Sequence, residues 1–218
     1  MNYKKFTQSS VVFLSFLLCC LNGFAQDNKL GVFVIKTETG YLLVQNREKI
    51  SYTLEFKGEE IKPLDSDHPS FIIDGKMIQV LNVLNENYWK PKEALKTEPT
   101  TEQYLEAHKM WESDYLSDAW KTKLSVTAEF LEIGQKRKAM FWSFAMPKDI
   151  GAPFSHQLFL TTLIGKDVVG INSSPDMAEN QKSYRTYMVE TMNTLKTSEK
   201  PFNIKELSTY LKKGETSD

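Results

Sequence analysis

The run Ala139-Met140-Phe141-Trp142-Ser143-Phe144-Ala145-Met146 constrains this chain more than any other stretch. Read as a strand, one face carries Met140, Trp142, Phe144 and Met146, and the other carries Ala139, Phe141, Ser143 and Ala145. A strand without a polar face lies inside a sheet covered on both sides. Its successor, Leu158 to Ile164, is turned by Gly165-Lys166-Asp167 into Val168 to Ile171. So short a connection permits only antiparallel pairing, because a parallel neighbour needs a long crossover. Ser174-Pro175-Asp176 then predicts a helix running to about Lys196. Serine suits the N-cap and proline the first helical position. Tyr184, Met188, Thr191, Met192 and Leu195 fall on one face of that helix.

Upstream, Leu30 to Val44 reads as a hairpin turned at Glu38-Thr39-Gly40. Ile50, Tyr52, Leu54 and Phe56 alternate with Ser51, Thr53, Glu55 and Lys57, the pattern of a half-buried strand with one wet face. Asp74-Gly75 between Phe71-Ile72-Ile73 and Met77 to Leu84 is a hairpin signal. A helix is expected from about Thr101 to Lys121, opened by a capping box of Thr100 and Gln103. Its stripe Tyr104, His108, Trp111, Tyr115 and Ala119 is expected to pack on a sheet. Val126 to Phe130 starts a strand that Gly134-Gln135-Lys136 returns into Arg137. A short helix, Ile204 to Lys213, follows a second capping pattern at Asn203 and Glu206. The fold class expected is α+β: an antiparallel sheet with a central and a C-terminal amphipathic helix packed on it. It forms one domain over 26–218, with 30–64 as an N-terminal strand extension.

Residues 1–25 have the order of a secretory signal peptide. Lys4 and Lys5 are positive, Val11 to Leu21 is apolar, and Gly23-Phe24-Ala25 places small residues before Gln26. The apolar run is short for a membrane span, so the expected chain is periplasmic or secreted, without a stable span after cleavage. A lipoprotein anchored at Cys19 or Cys20 is the other option, although Leu18 stands where a small residue belongs. Cleavage removes both cysteines and therefore any disulfide. It also removes two positive charges from a chain whose net charge is −1. With no basic cluster, nucleic-acid binding is not expected.

Chemical motifs are sparse. His68, His108 and His156 are far apart in sequence. His108 and Glu112, four residues apart on one helix, can share a metal only with a third ligand, so neither metal nor cofactor is expected. Ser155 and His156 are adjacent, but adjacency does not aim one at the other, and no Gly-x-Ser-x-Gly pattern occurs. The carboxylate pairs Glu59-Glu60 and Asp65 with Asp67 sit in polar turns. What stands out is the placing of aromatics in two polar breaks, 85–100 and 147–156. Tyr88, Trp89, Phe154 and His156 are accordingly the candidate ligand-binding residues, with folding back of Trp89 onto the core as the alternative.

The order of elements from Phe71 to Leu195 resembles the PsbP-like fold of photosystem extrinsic proteins and DcrB-type periplasmic proteins. The resemblance is carried by His156-Gln157-Leu158-Phe159-Leu160-Thr161-Thr162-Leu163, by Val168-Val169-Gly170-Ile171-Asn172-Ser173 and by the helix closing on Met192-Asn193-Thr194-Leu195. It implies an accessory or binding protein and no catalytic residue. The expectation is therefore a non-catalytic binding or accessory protein of a bacterial envelope, taking an envelope protein or a glycan-like ligand. The alternatives are a hydrolase using loop 147–156 and an assembly partner acting through a strand edge within 30–44.

Overall fold

Around the apolar run the described residues build two antiparallel sheets and four α-helices, an α+β fold. The structure, a computed structural model, describes residues 30–64, 66, 68–89, 98–177 and 180–214. The leader read at 1–25, with Cys19 and Cys20, lies outside them, as do Asp65 and Asp67. The N-terminal strands are β1 (Gly31–Thr37), β2 (Gly40–Asn46) and β3 (Ser51–Lys57). Next come β4 (Ile61–Pro63), β5 (Ser70–Ile73), β6 (Lys76–Val83) and the short helix α1 (Asn85–Tyr88). Helix α2 (Thr101–Trp120) leads to β7 (Val126–Ile133), β8 (Arg137–Ala145), β9 (His156–Ile164) and β10 (Asp167–Ser173). Helix α3 (Gln181–Asn193), β11 (Lys196–Ser198) and α4 (Ile204–Gly214) close the described chain.

The larger sheet has the order β4-β5-β6-β10-β9-β8-β7. The run 139–146 is thus an interior strand, as its two apolar faces require. Alternation divides its side chains between two cores. Ala139, Leu158, Leu160, Val169 and Ile171 join one core with Met188 and Met192 of α3. Met140, Trp142, Phe144, Phe159 and Val168 join the other with Tyr88, Tyr104 and Leu105. Trp142 and Phe159 are register partners, and their rings stack at 3.7 Å and 1°. Burying each such side chain is worth about 1.5–3 kcal/mol. Gly170 is required at the centre of β10, because a Cβ there would lie 2.2 Å from the Leu160 carbonyl oxygen. At the β5–β6 turn, Asp74 and Gly75 take φ of 47° and 78°, the left-handed pair that a two-residue hairpin favours.

The smaller sheet, β1-β2-β3-β11, corrects three expectations. Residues 30–64 are not an appended extension: Leu43, Tyr52, Leu54 and Phe56 are fully buried in the first core beside α3. The second face of β3 is not uniformly wet. Ser51 and Thr53 are buried there, since β11 pairs with β3 and the Arg47 N–H donates to Ser51 Oγ at 3.1 Å. Finally, the helix expected from Ser174 to Lys196 starts only at Gln181 and ends at Asn193. Ser155 N–H donates to the Pro175 carbonyl at 2.9 Å and Ser174 Oγ to Gln157 Oε1 at 2.8 Å, so this segment is held to the 155–157 strand and Ser174 does not cap. Leaving the helix early frees 196–198 to pair with β3.

The two sheets are tied at one end. Arg47, in the β2–β3 connection, bridges Asp167 at 3.4 Å and lies 5.5 Å from the Tyr52 ring centre. Asp167 Oδ1 also accepts the Asn85 N–H at 3.1 Å, which fixes the start of α1. The capping box of α2 forms as read: Thr100 N–H donates to Gln103 Oε1 at 2.8 Å and Gln103 N–H to Thr100 Oγ1 at 3.3 Å. Asn203 Oδ1 accepts the Glu206 N–H at 3.1 Å and starts α4, which packs on β1. No helix among the described residues is long and apolar enough to cross a membrane.

Candidate functional site

The four residues chosen from sequence do not gather into one surface. Tyr88 is 6% exposed, inside the second core, and its hydroxyl donates to the Lys166 carbonyl at 2.5 Å. Burial pushes its phenol up, with Asp167 adding to the effect. Trp89 is half-buried with its ring 4.6 Å from that of Tyr104. Both close the end of a core instead of standing out in a loop, which corrects the reading of them as a recognition pair. The remainder of that break, 90–97, lies outside the described residues.

Phe154 and His156 are half-buried at the opposite break. Contrary to expectation, sequence adjacency does bring Ser155 and His156 together: Nδ1 lies 3.0 Å from Ser155 Oγ. The same hydroxyl donates to the Pro175 carbonyl at 3.3 Å. A hydroxyl has one proton. While Pro175 takes it, the imidazole can only donate to Oγ, the reverse of what activates a nucleophile. Partial burial lowers the His156 pKa.

His108 is 1% exposed on α2, and neither ring nitrogen has a hydrogen-bond partner among the described residues. Its surroundings are the rings of Tyr88 (5.5 Å), Trp111 (6.1 Å) and Trp142 (6.4 Å). Burial takes its pKa down to about 4. Burial also raises Glu112, four residues on, and neither group shifts the other. No group of three or more potential metal ligands occurs among the described residues. An open groove of about 210 Å³ runs between β3 and α3, lined by Glu55, Lys57, Tyr187, Glu190, Thr191 and Thr194. Tyr187 donates to the Lys57 carbonyl at 3.1 Å and Thr194 Oγ1 accepts the Glu55 N–H at 2.8 Å. These bonds make it a packing seam between helix and strand.

The exposed aromatic surface lies elsewhere, on the second half of α2. Met110, Trp111 and Tyr115 are 58%, 36% and 63% exposed. The Trp111 and Tyr115 rings are near-parallel, 6.5 Å apart at 16°. Asp114 and Asp118 share the outward stripe and have no salt-bridge partner among the described residues. The helix packs over the second core through Tyr104, Leu105, His108, Leu116 and Trp120, with the Trp120 ring 5.9 Å from Phe144, and the line through Tyr104, His108, Leu116 and Trp120 passes half-buried Glu112. That line advances four residues at a time, whereas the helix turns once per 3.6. By the third turn it has rotated off the stripe Tyr104-His108-Trp111-Tyr115, and Trp111 and Tyr115 swing outward. The expectation that the whole stripe is core therefore holds only for Tyr104 and His108. The exposed half was missed because spacing alone does not show which line of a helix meets its sheet.

No protein-family model matches the chain, and no curated protein or solved structure does. The PsbP-like reading thus rests on element order alone.

Proposed function

We propose that the protein is a non-catalytic binding or accessory protein of a bacterial envelope that docks a partner protein on the outer face of α2. The carrying observation is the adjacent exposure of Met110, Trp111 and Tyr115 on a helix whose other side is anchored in a core. Tryptophan and tyrosine are enriched among the side chains that dominate interface energies, methionine is enriched at interfaces, and a rigid helix offers them without ordering its backbone. Asp114 and Asp118 add negative charge, without an ion-pair partner among the described residues, to the same stripe. The chemistry that fits is an apolar groove with a basic rim, receiving a helix face. Export is supported by the order of residues in 1–25.

The test places a photo-crosslinking residue at position 119 of the full chain expressed in a bacterium, with position 62 as control. A discrete adduct with an envelope protein is expected from 119 alone. With both proteins purified, Trp111→Ala should weaken the complex on the order of 30-fold. Asp114→Lys with Asp118→Lys should weaken it further at low salt than at high salt. Trp111→Ala leaving the affinity unchanged overturns the reading. So does a glycan array on which wild type binds and Trp111→Ala does not, or ester hydrolysis that His156→Ala abolishes in a folded protein.

A further inference from the structure

In β1 the residues Val32, Phe33, Val34 and Ile35 form an apolar run on the outermost strand of the smaller sheet. The β1–β2 register ends on Thr37 and Gly40. Two residues separate them, so this closing pair is a hydrogen-bonded one. Hydrogen-bonded pairs alternate along an antiparallel ladder. Gly31, Phe33, Ile35 and Thr37 therefore bond β2, and the N–H and C=O groups of Val32, Val34 and Lys36 point to the free edge. Among the described residues these three make no other backbone hydrogen bond. Their side chains share the face of Leu43 and Leu54, yet Val32 and Val34 are 38% and 45% exposed. The opposite face of β1 is half-buried, and α4 contacts this strand.

Native sheets blunt such an edge with proline, a bulge, charged side chains or a covering helix or loop, and of the charges this edge carries Lys36 alone, at its end. β1 has no proline, and its ladder to β2 runs without a break in register. Its edge groups are symmetric about Val34. We propose that a second copy of this chain occupies the edge, with β1 pairing antiparallel to β1 about a two-fold axis at Val34. The axis sets Val34 against Val34 of the other copy and Val32 against Lys36 in both directions. Every outward N–H then meets an outward C=O. No like charges fall opposite each other, since each Lys36 stem lies on a valine. On the other face Phe33 meets Ile35. Such an isologous contact closes on itself and joins the two four-stranded sheets into one. It is independent of the α2 surface.

Sedimentation equilibrium on the full chain tests this. Wild type is expected to associate to twice the monomer mass in the micromolar range. Val34→Lys puts two ammonium groups in direct opposition and should weaken association by at least about 100-fold. Val34→Pro removes only an N–H that points to the edge, sparing the ladder to β2, and should have the same effect. Amide exchange at Val32, Val34 and Lys36 should slow as protein concentration rises. A wild-type chain monomeric at millimolar concentration overturns the proposal, as does a dimer untouched by both substitutions. Edge amides protected in a monomer overturn it too, because another segment of the chain then holds the edge. Trp111→Ala should leave the dimer intact, which separates this result from the α2 reading.

Discussion

His108 should make the protein lose stability in mild acid. A histidine usually keeps at least one ring nitrogen hydrogen-bonded when buried. Here both lack partners among the described residues, and the ring sits among Tyr88, Trp111 and Trp142. Burial lowers its pKa from 6.5 to about 4. In the unfolded chain the imidazole takes a proton below about pH 6.5, and in the folded chain only below about 4. Between those values the unfolded state binds more protons, so stability rises with pH. The contribution is complete above pH 6.5 and fades as pH falls to 4. At about 1.4 kcal/mol per pH unit, the loss across this window is roughly 3 kcal/mol.

Glu112 works against this slope. Burial raises its carboxyl, so the folded state holds that proton to higher pH than the unfolded state does. Its share of stability is present at low pH and lost as pH rises. The comparison that isolates His108 is urea unfolding of wild type and His108→Leu from pH 7.5 to pH 4. Leucine removes the titration and two polar atoms that have no partner among the described residues. The variant should be at least as stable as wild type at pH 7.5. Its stability should fall by roughly 3 kcal/mol less over the interval. Parallel pH profiles for the two proteins would refute the reasoning, as would an imidazole that titrates near 6.5 in the folded protein by proton NMR.

Two further outcomes follow from the packing. Trp142→Ala removes a side chain with no exposure that stacks on Phe159, and should cost about 3–5 kcal/mol. In thermal unfolding this is a drop on the order of 10 °C for a chain of this size, and a loss under about 1 kcal/mol would show that the second core does not enclose it. Glu112→Leu places an apolar side chain on the line where α2 meets the sheet and should stabilise by on the order of 1 kcal/mol at pH 8. That gain should shrink in acid, where the native carboxyl is neutral, and a gain constant with pH would assign Glu112 to solvent.

The meander from β7 to β10 was legible because each strand announces itself locally. Two apolar faces mark the run Ala139 to Met146 as interior, and the Gly165-Lys166-Asp167 turn settles the pairing that follows. The capping box at Thr100 is equally local. What sequence could not show depends on a partner far along the chain. Lys196-Thr197-Ser198 has no strand signal of its own, and it pairs because β3 presents a free edge. Ser174 carries the chemistry of an N-cap but is used by Gln157, seventeen positions earlier. Tyr88 and Trp89 lie in a polar break, yet the β9–β10 turn supplies a carbonyl for one and α2 a ring for the other.

The α2 surface shows the same limit within a single helix. Helical periodicity groups Tyr104, His108, Trp111 and Tyr115, since their spacing tracks 3.6 residues per turn. Contact with a sheet need not follow that average. Here the line Tyr104, His108, Leu116, Trp120 follows steps of four, which leaves Glu112 half-buried and Trp111 exposed. A half-buried carboxyl and an exposed tryptophan on adjacent positions are two consequences of one rotation. Had the contact line kept the 3.6 average, Trp111 and Tyr115 would be core, and Glu112 would titrate as an ordinary surface acid. The raised carboxyl of Glu112 and the exposure of Trp111 follow from the same rotation, so a Glu112 that titrates as an ordinary surface carboxylate would refute that rotation.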